Sequence, residues 1–166
     1  MKTILVLACF LSISGSVAPF DHIGENYWVI FEDFTGDART DIAITSARPW
    51  GNAGMWWWIY SAQPDGSYTY FDDVFFHPKA FRIYPLEKNG AELVTYYRSD
   101  SNSGSLITYR IQDEIEETSK VTIYPKEGDQ ELYEDHFSYL WKFPRALKIP
   151  TNKIRFDGNS LSIQEH

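Results

Sequence analysis

The chain has 166 residues, carries 15 Lys and Arg against 23 Asp and Glu for a formal net charge of −8, and is 43% hydrophobic and 17% aromatic. A polypeptide this acidic has no basic stripe to neutralise phosphates, which argues against nucleic acid as a partner. It is too apolar to remain an unfolded chain, and it is long enough for one domain with its own core.

The first eighteen residues have the order of an export signal. Lys2 precedes the apolar run Ile4-Leu5-Val6-Leu7-Ala8-Cys9-Phe10, and small residues follow up to Ala18. Residues 1–18 therefore read as a signal peptide, with Ser16 as a competing exit because Pro19 follows Ala18 directly. The remainder is expected to be secreted or periplasmic. Cys9, the sole cysteine, follows Val6-Leu7-Ala8 as in a lipobox. An anchor there would leave almost no apolar run before it, so lipoprotein anchoring through Cys9 is not expected. Without Cys9 the mature chain has no disulfide, and its stability must come from burial. No later stretch reaches eighteen consecutive apolar residues, so the chain is not expected to span a membrane.

From residue 19 onward, strand signals dominate and no long helical periodicity is found. Residues 27–31, 42–45, 55–60, 68–76, 93–97, 106–111 and 121–124 are short, aromatic or β-branched runs. Between them lie Pro64-Asp65-Gly66 and Lys88-Asn89-Gly90, and later Phe156-Asp157-Gly158-Asn159, all with turn chemistry. Residues 19–166 read as a single all-β domain of antiparallel, blade-like sheets, either an incomplete β-propeller or a compact sandwich.

An internal repeat is visible. Asp41-Ile42-Ala43-Ile44-Thr45 aligns with Glu92-Leu93-Val94-Thr95-Tyr96, Asn52-Ala53-Gly54 with Asn102-Ser103-Gly104, and Trp58-Ile59-Tyr60 with Ile107-Thr108-Tyr109. The order is kept while the offset drifts slowly, as small loop deletions produce. The first unit spans about 27–78 and a degenerate second unit about 84–125. A tail, 126–166, is left for a partial third unit or a closing strand.

Between the first two strands lies Asp33-Phe34-Thr35-Gly36-Asp37-Ala38-Arg39-Thr40-Asp41. Carboxylates at relative positions 1, 5 and 9, a hydroxyl at 3 and a carbonyl at 7 are hard oxygens that a coiled loop can bring together. The cation they suit is Ca²⁺, since no thiolate or imidazole is present for softer metals. The expected ligands are Asp33, Thr35, Asp37, the Arg39 carbonyl and Asp41. In the second unit, residues 86–92 have lost this spacing and hold an Asn-Gly turn instead.

The run DFTGDARTDIAIT, from Asp33 to Thr45, resembles the D-x-[ND]-G-D-G-x-x-D-[IL] loop of FG-GAP (VCBS-type) repeats, and the likeness extends over about 28–76 and, less closely, 84–125. Thr35 stands where Asn or Asp is usual and Ala38 where Gly is usual, so a positive φ there would carry a penalty. The resemblance implies a calcium loop joining two strands of a propeller blade, and a non-enzymatic, calcium-stabilised binding or scaffold module. Its partner would be a protein or a glycan. Complete propellers take four to eight blades, so a chain with two must self-associate, close into a sandwich or cover its edges with the tail.

The aromatic run offers a second reading. Strand alternation puts Trp56 and Trp58 on one face and Trp57 on the other. Trp57 reads first as core, and otherwise, with Trp50, as the platform of a carbohydrate-binding module. No catalytic constellation accompanies either reading. His22, His77, His136 and His166 have no paired spacing, Asp135-His136 lacks a nucleophile elbow, and the neighbours Asp72-Asp73 and Glu116-Glu117 point to opposite sides of a strand. Catalysis is not expected, and an unrecognised hydrolase is the last alternative.

Overall fold

A computed structural model describes residues 24–49, 51, 53–137 and 145–164. Residues 1–18, expected from the sequence to be a signal peptide and containing Cys9, lie outside the described residues, as do His22, Trp50 and His166.

The chain first builds two antiparallel meanders of four strands each. The first holds β1 (Asn26–Glu32), β2 (Asp41–Ser46), β3 (Met55–Ala62) and β4 (Tyr68–Phe76); the second holds β5 (Phe81–Pro85), β6 (Ala91–Arg98), β7 (Gly104–Ile111) and β8 (Ile115–Ile123). The aligned segments fall on corresponding strands, Asp41 to Thr45 on β2 with Glu92 to Tyr96 on β6, and Trp58 to Tyr60 on β3 with Ile107 to Tyr109 on β7. The fold is all-β, as its sequence leads one to expect.

The tail supplies α1 (Gln130–Phe137), β9 (Leu147–Pro150), β10 (Ile154–Asp157) and β11 (Ser160–Ile163). These strands complete a seven-stranded sheet in the order β10-β11-β4-β3-β2-β1-β9. Its two edges are therefore β9 and β10, which only the single turn Thr151–Lys153 separates in the chain. Three residues cannot bridge the width of a flat seven-stranded sheet, so the sheet curls until its edges meet, and it is nearly a closed barrel. The Thr151 amide donates to the Glu25 carbonyl at 2.9 Å, which extends the β1–β9 pairing up to the seam.

Curling gives the sheet an inside and an outside. Tyr27 and Val29 of β1, Ile42 and Ile44 of β2 and Tyr60 of β3 pack with Ile154, Phe156 and Leu161 of the tail. The alternate residues Ile30, Ala43, Trp57, Ile59, Val74 and Phe76 pack outward against Phe81, Leu93 and Ile111 of the second sheet. Strand β2 is buried along its whole length because both of its faces are covered. A third cluster, Val94, Tyr96 and Ile123, lies on the far side of the second sheet, where Tyr133 of α1 meets Tyr96 edge-on at 4.9 Å.

The helix is short, in keeping with a sequence in which no long helical periodicity is found. Eight residues give barely two turns, too few for an apolar stripe to stand out. Asp129 precedes it, its carbonyl accepting the Tyr133 amide at 3.1 Å and its carboxylate the Tyr124 amide at 2.7 Å. Among the described residues no helix is long and apolar enough to cross a membrane.

Candidate functional site

The β1–β2 loop is anchored by Phe34, which is fully buried and stacks on Phe81 with centroids 6.2 Å apart. Beyond that anchor the chain turns tightly, with φ of 69° at Gly36 and 66° at Ala38, the two positions where the FG-GAP pattern has glycine. Ala38 thus adopts a left-handed conformation that a Cβ disfavours.

The carboxylates close the loop on its own donors. Asp33 accepts the amides of Asp37 at 3.1 Å and Ala38 at 2.9 Å. Asp37 accepts the Arg39 amide at 2.9 Å and pairs with the Arg39 guanidinium, whose Nε donates to the Ala62 carbonyl at 2.8 Å. Asp41 is fully buried, and its Oδ2 accepts both the amide of Thr35 at 2.8 Å and its hydroxyl at 3.0 Å, while Oδ1 accepts the Ala62 amide at 2.9 Å. Desolvation holds its carboxyl above the usual range, the nearby charge of Asp37 adds to this, and the three donors moderate it.

In kind, these donors fit a hard cation. In arrangement, the structure joins Thr35 to Asp41 and Asp37 to Arg39, and among the described residues no group of three metal-ligating side chains converges. Calcium takes six to eight oxygens. The loop as folded presents no such cage, and Arg39 brings a positive charge of its own. Beside it an open groove of about 700 Å³ is lined by Arg39, Phe71, Lys88, Asn89, Gln112 and Asp113.

The tryptophans divide as alternation requires. Trp57 is fully buried, stacked on Phe76 at 5.1 Å, with its indole N–H donating to the Phe76 carbonyl at 3.2 Å. This overturns Trp57 as a platform for a ligand and bears out its reading as core. Trp50 lies outside the described residues. The exposed member is Trp56, at 53%, which meets Phe75 edge-on at 5.7 Å. Trp58, on the same face, is half-buried against the interior of the curled sheet. Together with Thr45, Ser46, Arg48 and Phe75 they line a groove of about 330 Å³ at the rim of the curl.

No protein-family model, no curated protein and no solved structure matches the chain.

Asp72, Asp73 and His77, also singled out by the sequence, have structural partners. Asp72 accepts the Ile115 amide at 2.9 Å and so ties the two sheets, and Asp73 accepts the Tyr70 hydroxyl at 3.2 Å. His77 is buried, and its Nδ1 accepts the Lys79 amide at 3.1 Å. Trp56 and the guanidinium of Arg39 are the residues that sequence reasoning missed. Alternation signals a choice between Trp56 and Trp57 without deciding it, and nothing local signals that Arg39 reaches Ala62.

Proposed function

We propose that this protein is a secreted, non-catalytic binding module whose ligand is a carbohydrate held in the groove beneath Trp56. The observation that carries this reading is the large exposed indole at the rim of a curled sheet, beside a half-buried second indole and a phenyl ring. Mouths of β-barrels are common sites for small ligands, and an aromatic floor with a few polar groups around it is their usual composition. The apolar C–H face of a pyranose suits the indole face, while the exposed Arg48 in the lining offers a guanidinium to its hydroxyls.

The two left-handed residues of the β1–β2 loop and the matching order of the two meanders support the FG-GAP resemblance, and with it duplication of a four-stranded unit. Calcium enters the proposal as a weak ligand of the same loop, because binding would have to draw Asp37 away from Arg39.

A glycan array with the intact protein, followed by titration of the best hit, tests the reading. Trp56→Ala is expected to weaken that binding at least tenfold while leaving the melting temperature nearly unchanged. Binding that survives the substitution, or an array with no hit, sinks the assignment of ligand to groove.

A further inference from the structure

The two sheets present four edges. Edges β9 and β10 of the curled sheet lie at the seam. Edge β5 of the second sheet is only five residues long, with α1 nearby and the Arg145 guanidinium 4.6 Å above the ring of its Phe81. The fourth edge is β8, the outer side of which no strand pairs with among the described residues. Residues 116–122 are all exposed, Val121 at 50% among them. The Ile115 amide is taken by Asp72, and the exposed stretch beyond it offers about 23 Å of alternating unpaired N–H and C=O groups, a template for another strand.

We propose that β8 pairs antiparallel with β8 of a second copy of this chain, about a two-fold axis, joining two four-stranded sheets into one of eight. The register follows from a bulge. Glu117 lies opposite Tyr109 and Ser119 opposite Thr108, so Thr118 is extra and the alternation of faces switches there. Ile115, Glu117, Lys120 and Thr122 consequently share the face turned toward the curled sheet, while Glu116, Ser119 and Val121 share the other.

In a two-fold pairing, opposed residues must lie on the same face. Across this bulge that condition is met when Glu117 opposes the partner's Lys120 and Glu116 opposes the partner's Val121. Symmetry then gives two opposite-charge pairs on one face. The other matched register across the bulge sets Lys120 against the partner's Ile115 and loses both. Lys120 is held on the required face by the ring of Tyr97, 5.7 Å from its ammonium. The same charges guard the edge against strands of other sequence, so they confer selectivity for this copy.

One strand edge buries less than a standard interface, so the dimer is weak and depends on concentration. Sedimentation equilibrium of the intact protein, from about 1 to 200 µM, reads it directly. The wild type is expected to form dimers reversibly across that range. Lys120→Glu and Glu117→Lys should each remain monomeric and folded, with melting curves lowered only slightly, since both side chains are at the surface and Lys120 gives up only its contact with the Tyr97 ring, and the double variant E117K/K120E should dimerise again. A monomeric wild type at the highest concentration overturns the proposal. So does a single variant that dimerises like the wild type, or a double variant that does not recover.

Discussion

Gly36 and Gly90 meet backbone to backbone: a Cβ added to Gly36 would sit 1.9 Å from the Gly90 carbonyl oxygen. The β1–β2 loop of the first meander is thereby pressed against the β5–β6 turn of the second. No side chain can stand between them, and Gly36 also carries a positive φ. Gly36→Ala is therefore expected to cost more than about 3 kcal/mol, since backbone must move and the left-handed conformation adds its own penalty. Chemical denaturation measures it. A loss under about 1 kcal/mol would show that the two loops are not held together.

Ala38 gives the opposite sign two residues later. Its φ of 66° costs an alanine roughly 1–2 kcal/mol, whereas glycine would lose only part of that gain to the greater entropy of the unfolded chain. Ala38→Gly should stabilise the protein by about 0.5 kcal/mol. A destabilised variant in the same denaturation assay would contradict the loop conformation.

Asp41 shows what burial of a charge requires. Its two oxygens take three donors, and an asparagine amide in its place would point an NH₂ at either the Thr35 or the Ala62 amide. Asp41→Asn should therefore cost about 2–3 kcal/mol, even though it removes a desolvated charge. If the variant is as stable as the wild type, the carboxylate is not the acceptor of these bonds.

Arg39 and calcium compete for the same carboxylate. Arg39→Gln removes the guanidinium from Asp37, and a largely exposed pair of this kind is worth about 0.2–1 kcal/mol. The apparent affinity of the loop for Ca²⁺ should rise by about 1.4- to fivefold, from a weak starting value. Isothermal titration of both proteins decides this, and equal affinities would mean that Arg39 does not oppose the ion.

Trp57 tests the packing of the two sheets on each other. Replacing a fully buried indole by alanine should cost about 3–5 kcal/mol and lower the melting temperature sharply. Melting as in the wild type would remove it from the core.

The strands were legible because their punctuation is local. Asp65 accepts the Ser67 amide at 3.0 Å in the β3–β4 turn, and Asn89 and Gly90 both take positive φ, as those residue types imply. The closure of the first sheet was not legible. It depends on where β9 pairs with β1, a relation between residues more than a hundred apart that no periodicity encodes. Most of β8 was missed for a related reason: an edge strand exposed on both faces has no need of alternation, and residues 116–120 show none. The charged loop was found, but its closure by Arg39 depends on a side chain reaching a carbonyl 23 positions away.

His77 makes stability depend on pH. It is 3% exposed, its Nδ1 accepts the Lys79 amide, and burial with the nearby Lys79 charge pulls its pKa down from 6.5 to about 4. The unfolded chain therefore takes up a proton near pH 6.5 while the folded chain resists until about pH 4. The stability that neutral His77 contributes is fully present above pH 6.5 and is lost as pH falls from there to about 4, by up to roughly 3 kcal/mol. Asp41 works against this in acid, because its raised pKa lets the folded state take up a proton more readily than the unfolded chain does. Comparing His77→Gln with the wild type isolates the histidine, since glutamine retains an acceptor and a donor but does not titrate in this range. Between pH 6.5 and 4 the variant should lose less stability than the wild type. Parallel curves would show that His77 is protonated in the fold, and that its contact with the Lys79 amide is not the one described.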